Sequence, residues 1–398
     1  TNNGATLNSD SYSGESPFKP RIQDKAAPKM AVQLANGSTS FDGTNDYISI
    51  ADADNLSFGD GDDDSAFSLS AWIKMDDATK FKIFAKGIYN TNAEYVMEVN
   101  ADDKLRLLLY DEDVADTVEI AMYDTALTSY EGQWIHVCAT YNGVGGTSAN
   151  AGIKLYLNGS NVATTLSDNG TYDSMVNGGA DLHIGRDGSD YANGSIANAT
   201  VHSSELTQSQ VQELMFTEKY SGLSADLKTN LVSWYDLGST SLGSELVTNG
   251  TYATGDFTGW LFGNGWSVVD EVATFSYAGE GNSKVIQDIG LQSGKRYKVT
   301  FDYTRSAGSL TIREYGSGYV VLGIFSDASD SVELDFTSTS TNGFLYITAV
   351  GTTFAGTIDN VSVKEIQATD SEGTNEGSIY GATTNTGYTH SPHGVVDP

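Results

Sequence analysis

Four stretches decide the fold: SFDGTNDYISI (residues 40–50), SLSAWIKM (68–75), QWIHVCATY (133–141) and IKLYLNGSNVAT (153–164). Side chains of a strand alternate between two faces. Read that way, Phe67, Leu69, Ala71, Ile73 and Met75 share one face and Ser68, Ser70, Trp72 and Lys74 the other. In the fourth stretch a strand runs into Asn158-Gly159, a pair suited to a two-residue hairpin turn. KFKIFAK, EYVMEV, KLRLLLY, TVEIAM and DLHIGRD supply further runs at the spacing of a sandwich, which predicts two packed sheets over residues 38–230. Thr207 with Gln210 fits a capping box, and Val211, Leu214 and Met215 give one apolar stripe, so one short helix is expected near 207–216.

The composition agrees. At 398 residues the chain has room for two or three domains, and its 43 glycines, 5 prolines and 22 tyrosines suit short strands joined by polar turns. The 52 acidic against 21 basic residues give a net charge of −31, which opposes nucleic-acid binding because each phosphate contact needs a cation. Cys138 is the one cysteine and alternates with apolar positions, so it is expected as a buried free thiol and no intrachain disulfide can form. No run of about 18 apolar residues is present, so no membrane insertion is expected. Thr1 reads as a processed terminus or the edge of a fragment.

The four opening signals, followed by GSIANATVHSSELTQSQVQEL, resemble the laminin-G-like, concanavalin A-like jelly roll, whose members often carry a helix reading LTxxQxxEL after the penultimate strands. A second block, residues 245–366, resembles the galactose-binding-like jelly roll of carbohydrate-binding modules. The opening ELVTNGTY, the strand YKVTF and the closing IDNVSV carry that resemblance. LVSWYDLGS (231–239) and TDSEGTNEGSIYGATTNTGYT (369–389) resemble two parts of a lead-in found before laminin-G-like domains in modular phage structural proteins, with the second jelly roll inserted between them. Gly4-Ala5-Thr6 is repeated as Gly381-Ala382-Thr383, which suggests an array of modules. The expected organisation is an all-β chain of two jelly-roll sandwiches. It comprises an extended arm (1–37), a laminin-G-like jelly roll (38–230), a lead-in strand or linker (231–244), a carbohydrate-binding-module-like jelly roll (245–366) and an extended tail (367–398). Lys19, Arg21, Lys25 and Lys29 make the arm locally basic against an acidic body, and are read as an assembly arm that docks on another subunit.

Catalytic signatures are missing. His136, His183, His202, His390 and His393 form no HExxH, and neither GxSxG nor a phosphate-binding glycine loop is present, so no enzyme is expected. Asp60, Asp62, Asp63 and Asp64 imitate the start of a calcium loop, but Ser65 stands where the pattern needs Gly and Ala71 where it needs Glu. The second resemblance implies a structural calcium ion near Asp359, with Glu245 and Asn249 as opening-strand partners; a purely backbone-bonding role for Asp359 stays open. Asp42, Asp46 and Asp181 are the comparable acids of the first jelly roll. Sugar binding uses flat aromatic faces beside polar groups. Trp260, Tyr303, Tyr315 and Tyr319 are the candidates, while Trp266, Trp72 and Trp134 read as packing residues. Taken together these features suggest a non-enzymatic virion protein of a phage fibre, tail or capsid surface, oligomeric or bound to other virion proteins and attaching to surface glycans. The alternatives are a secreted adhesin, the binding portion of a polysaccharide-degrading enzyme, or a purely architectural filament or capsid-decoration subunit.

Overall fold

The computed structural model describes residues 32–35, 37–88, 91–114, 117–276, 283–373, 375–386 and 389–391. The chain is built from strands arranged as two sandwiches, with little helix. One sheet of the first sandwich runs, in spatial order, Thr164–Asn169, Thr117–Tyr123, Leu105–Asp111, Tyr95–Val99, Lys82–Lys86, Leu182–Ile184, Tyr47–Ile50 and Gly377–Tyr380. The facing sheet runs Ile153–Leu157, Trp134–Tyr141, Phe67–Met75 and Asn193–His202. Its far edge divides between Ser38–Asp42, which is followed by Thr383–Asn385, and Leu231–Glu245.

The alternation read from residues 67–75 is what closes this core. Phe67, Leu69, Ala71, Ile73 and Met75 are fully buried between the sheets. Trp72 faces the other way and is still only 2 % exposed, because the helix Gln208–Phe216 lies over that face. Met215 packs with Trp72 and Trp134, while Val211 and Leu214 pack with Cys138, Tyr156 and Trp234. The helix begins with a reciprocal cap: the Thr207 amide donates to Gln210 Oε1 at 2.9 Å, and the Gln210 amide to Thr207 Oγ1 at 3.4 Å. A second short helix, Ala225–Thr229, is capped by Ser224 and was not expected from the sequence. At the predicted hairpin Asn158 and Gly159 both have positive φ, 49° and 76°, and join Leu157 to its cross-strand partner Ser160.

Two long strands, Arg296–Tyr315 and Phe344–Asp370, each pass through both sheets of the second sandwich. Their halves pair with Ser329–Thr337 and Val272–Ser276 in one sheet, and with Tyr319–Phe325 and Ser283–Asp288 in the other. The first long strand bends at Gly308, φ +74°, where a Cβ would lie 2.6 Å from the Phe354 backbone. Val299, Phe301, Leu310, Ile312, Leu345, Ile347, Ile358 and Val363 fill the space between the sheets.

Two features concern the joints. The segment 231–244, expected as a lead-in strand or linker, is a strand of the first sandwich with Trp234, Tyr235 and Leu237 buried, and it continues as a neck: Thr240, Ser241 and Leu242 pair with Ala368, Gln367 and Ile366. The segment expected as an extended tail supplies Gly377–Tyr380 and Thr383–Asn385 to the two sheets of the first sandwich, because Ile379 and Ala382 fill gaps in its core. The second sandwich is thus an insertion within the first. A buried polar knot seals the neck: Asp370 accepts the Trp234 amide at 2.9 Å, Asn375 Nδ2 donates to Ser233 Oγ at 3.0 Å, and the Tyr235 hydroxyl donates to the Asn375 carbonyl at 2.6 Å. Val32–Ala35 pairs with Thr389–Ser391, which contains His390. Lys19, Arg21, Lys25, Lys29 and His393 lie outside the described residues.

Candidate functional site

The outward face of one sheet of the second sandwich carries the exposed aromatics. Its strands lie in the order Leu261–Phe262, Ser283–Asp288, the first part of Phe344–Asp370, the last part of Arg296–Tyr315, and Tyr319–Phe325. Leu310, Ile312, Leu345 and Ile347 point into the core, so the residues between them point out. Register then stacks these outward residues in rows. Lys284, Thr348, Thr311 and Ile324 form one; Leu261, Ile286, Tyr346, Arg313 and Val321 form the next; Tyr315 pairs with Tyr319, and Asp288 with Phe344, beyond that.

Tyr315 and Tyr319 are 37 % and 52 % exposed, whereas Tyr346 beneath them is 8 % exposed. The Tyr315 and Tyr319 rings meet edge to face at 5.3 Å and 82°, and Tyr319 meets Tyr346 at 5.2 Å and 89°. Lys284 reaches over this floor: its Nζ donates to the Tyr319 hydroxyl at 3.0 Å and lies 5.2 and 5.4 Å from the Tyr319 and Tyr346 ring centres. Asn342 Nδ2 donates to the Tyr346 hydroxyl at 3.2 Å. Arg313, opposite Tyr346, has a buried Nε without a hydrogen-bond partner among the described residues. The face therefore offers ring planes, hydroxyls and two cations.

The structure separates the sugar-binding candidates. Tyr315 and Tyr319 come together on this face. Trp260 and Tyr303, expected as sugar platforms, are instead core residues at 5 % and 3 % exposure. Gly259, φ +84°, turns Trp260 inward, where its ring lies 5.9 Å from Tyr252 and its Nε1 donates to the Asn249 carbonyl at 3.3 Å. Tyr303 falls on the inward side of its strand with Val299 and Phe301, against Phe325. Trp266 is buried beside Phe275, as its strand position suggested. It lines a cavity of about 400 Å³ with Phe257 and Phe262, and its indole N–H has no partner among the described residues. Tyr346, Lys284 and Arg313 were not singled out from the sequence, although alternation in KVIQD, TIREY and FLYITAV places them on the same face as Tyr315.

The residues read as calcium ligands make other bonds. Glu245 accepts the amides of Val247 and Val363 at 2.9 and 3.0 Å and the Ser362 hydroxyl at 2.5 Å, which ties the opening strand to the closing one. Asn249, φ 54°, donates to the carbonyls of Asp256 and Thr258 and accepts the Thr254 amide. Asp359 accepts the Asn360 amide at 2.7 Å. With Glu245 and Asn249 engaged in this way, the three do not fit a ready-made calcium site. Among the described residues no group of three or more His, Cys, Asp or Glu side chains is placed to hold a metal ion. In the first sandwich Asp42 accepts the amides of Thr44 and Asn45 within its own turn, and Asp181 accepts the Ser49 hydroxyl. Asp46 is pushed up to about 6 by burial and by the neighbouring Asp42 charge. Asp60 accepts the amides of Asp62 and Asp63, and Asp64 is bound by the hydroxyls of Tyr141 and Tyr172.

Comparison with known proteins gives the following. Residues 42–212 match the family described as the concanavalin A-like lectin/glucanases superfamily. No curated protein matches the chain. Among solved structures, it is similar to a heptameric SAP-like pentraxin from Limulus polyphemus, with 20 % identity over 50 % of this chain and 94 % of that one, TM-score 0.28. It is also similar to a carbohydrate-binding protein, so described provisionally, from Bacteroides ovatus, with 19 % identity over 53 % and 54 % of the two chains, TM-score 0.34. A third is domain 4 of the extracellular arabinanase AbnA from Geobacillus stearothermophilus, solved with arabinotriose, with 19 % identity over 42 % and 72 %, TM-score 0.31.

Proposed function

We propose that the protein is a non-catalytic attachment protein that binds glycans on the tyrosine face of its second sandwich. The carrying observation is that Tyr315 and Tyr319 stand exposed beside Lys284 on an outward sheet face, while most other large aromatics of that sandwich are spent in the core. Tyrosine faces take pyranose C–H groups, and their hydroxyls with the neighbouring polar groups take the sugar hydroxyls. The first sandwich serves as the scaffold that carries this module. The fuller form of the reading is a virion surface component, outside the cell, with other copies of the chain or further virion proteins as partners. It rests on the resemblance of residues 231–239 and 369–389 to the lead-in of modular phage proteins. Repetition of a shallow site on an oligomer would raise avidity without new contacts.

The test is binding of the full chain to arrayed neutral, uronate-bearing and sulfated polysaccharides, followed by titration of the best hexasaccharide. Tyr319→Ala and Tyr315→Ala should each weaken binding by about tenfold with the melting temperature unchanged. Binding that survives the double substitution would place the site elsewhere. Light scattering of the native protein tests the assembly: a defined oligomer supports multivalent attachment, and a monomer removes it.

A further inference from the structure

We infer that the tyrosine face selects anionic glycans, bearing uronate carboxylates or sulfate esters, through Arg313 and Lys284. This deepens the glycan reading above and rests on it. The argument begins with charge. In a chain with 52 acids and 21 basic residues, acidic partners are plentiful, and several cations take them. Lys86 is paired with Asp52 and Glu94, Lys154 with Glu205 and Lys295 with Glu365. Arg106 and Lys82 share Glu98.

Arg186, Arg296 and Arg305 donate instead to backbone carbonyls, and Arg313 departs from both patterns. It has no ion pair or hydrogen bond to any described residue, and its Nε is withdrawn from solvent. The adjacent Glu314 faces the interior, where its carboxylate accepts the hydroxyls of Ser338 and Thr339 and the Thr339 amide. Lys284 satisfies one N–H on the neutral Tyr319 hydroxyl and likewise has no ion pair to a described residue. Asp288 is the acid at the far row of the face, and its Oδ1 accepts the Gly290 amide at 3.2 Å.

A planar guanidinium with a desolvated Nε and no carboxylate of its own is suited to a bidentate oxyanion. Here it lies across from the Tyr346 ring, so an anionic group on a sugar resting against the tyrosines would meet it. A neutral sugar would leave the buried donor unsatisfied, a cost that discriminates more sharply than lost contact area does.

The experiment is calorimetric titration of the full chain with three hexamers: neutral galactan, galacturonan and sulfated galactan. One or both charged hexamers should bind at least about tenfold more tightly than the neutral one, and their order distinguishes carboxylate from sulfate. Arg313→Gln should abolish the preference for the charged hexamers, and Lys284→Gln should reduce it. Melting curves confirm that each variant folds; should Arg313→Gln fail to fold, Lys284→Gln and Arg313→Lys carry the test. Equal affinity for neutral and charged hexamers, or a preference untouched by these substitutions, overturns the inference and leaves the glycan reading standing. Binding of none of the arrayed polysaccharides, or binding indifferent to Tyr315→Ala with Tyr319→Ala, overturns the glycan reading itself.

Discussion

His202 is fully buried, with both ring nitrogens unpartnered among the described residues, and burial holds it down to about 4; His136, also buried, is held down to about 3. In the unfolded chain both titrate near 6.5, so below that pH the unfolded state takes up protons the folded state refuses. The histidine contribution to stability is therefore fully present above about pH 7 and lost as pH falls from 6.5 towards 4, by roughly 2–3 kcal/mol per histidine. Denaturant titrations at pH 7.0 and 4.5 should show this loss, and His202→Leu should shrink it by one histidine's share; an unchanged difference between the two pH values would rule His202 out. At this scale the sequence is legible where alternation is unbroken. Tyr303 could have been assigned to the core from Phe301 and Val299, two and four residues before it. Trp260 could not, because its direction depends on the left-handed turn at Gly259 rather than on any strand period. Tyr315 and Tyr319 were visible because EYGSGY puts them on either side of a tight turn; Arg313 was not, since only the neighbouring strands reveal that Val321 and Tyr346 flank it.

The helix Gln208–Phe216 covers a sheet face that would otherwise expose Trp72 and Trp234, so its cap matters beyond nine residues. Thr207→Ala removes the side-chain half of the capping box and should cost about 1 kcal/mol of unfolding free energy. A loss confined to a few tenths, measured by urea denaturation, would mean that packing alone holds the helix. This element was readable because both its cap and its stripe are local. The bends in Arg296–Tyr315 and Phe344–Asp370 were not, since Gly308 looks like any turn glycine until Phe354 is brought against it. The return of Gly377–Tyr380 to Tyr47–Ile50 was equally hidden, because its partner lies more than three hundred residues away and sequence pattern specifies a face, not a partner.

Across the whole molecule, the insertion predicts an asymmetry. Glu245 and Lys364 are cross-strand partners, so replacing residues 246–363 with a tight turn closes a hairpin on the first sandwich. That excised protein should fold with a melting temperature within a few degrees of the first transition of the full chain. Truncation after Ile366 should prevent folding, because Ala368, Ile379 and Ala382 leave the core with it. Failure of the excised form, or survival of the truncated one, would show that the sandwiches are not related as host and guest. The neck also decides how the molecule bears load. A glycan held by the second sandwich and pulled away from the first would draw on the strand Leu231–Glu245 and the end of Phe344–Asp370 together, along their own axes. Antiparallel hydrogen bonds lie across the strands, so such tension shears the pairing of Leu231–Glu245 with Asn193–His202 as a whole instead of peeling it bond by bond. The joint that makes the second sandwich a removable guest is thus also the path by which a load on it reaches the first.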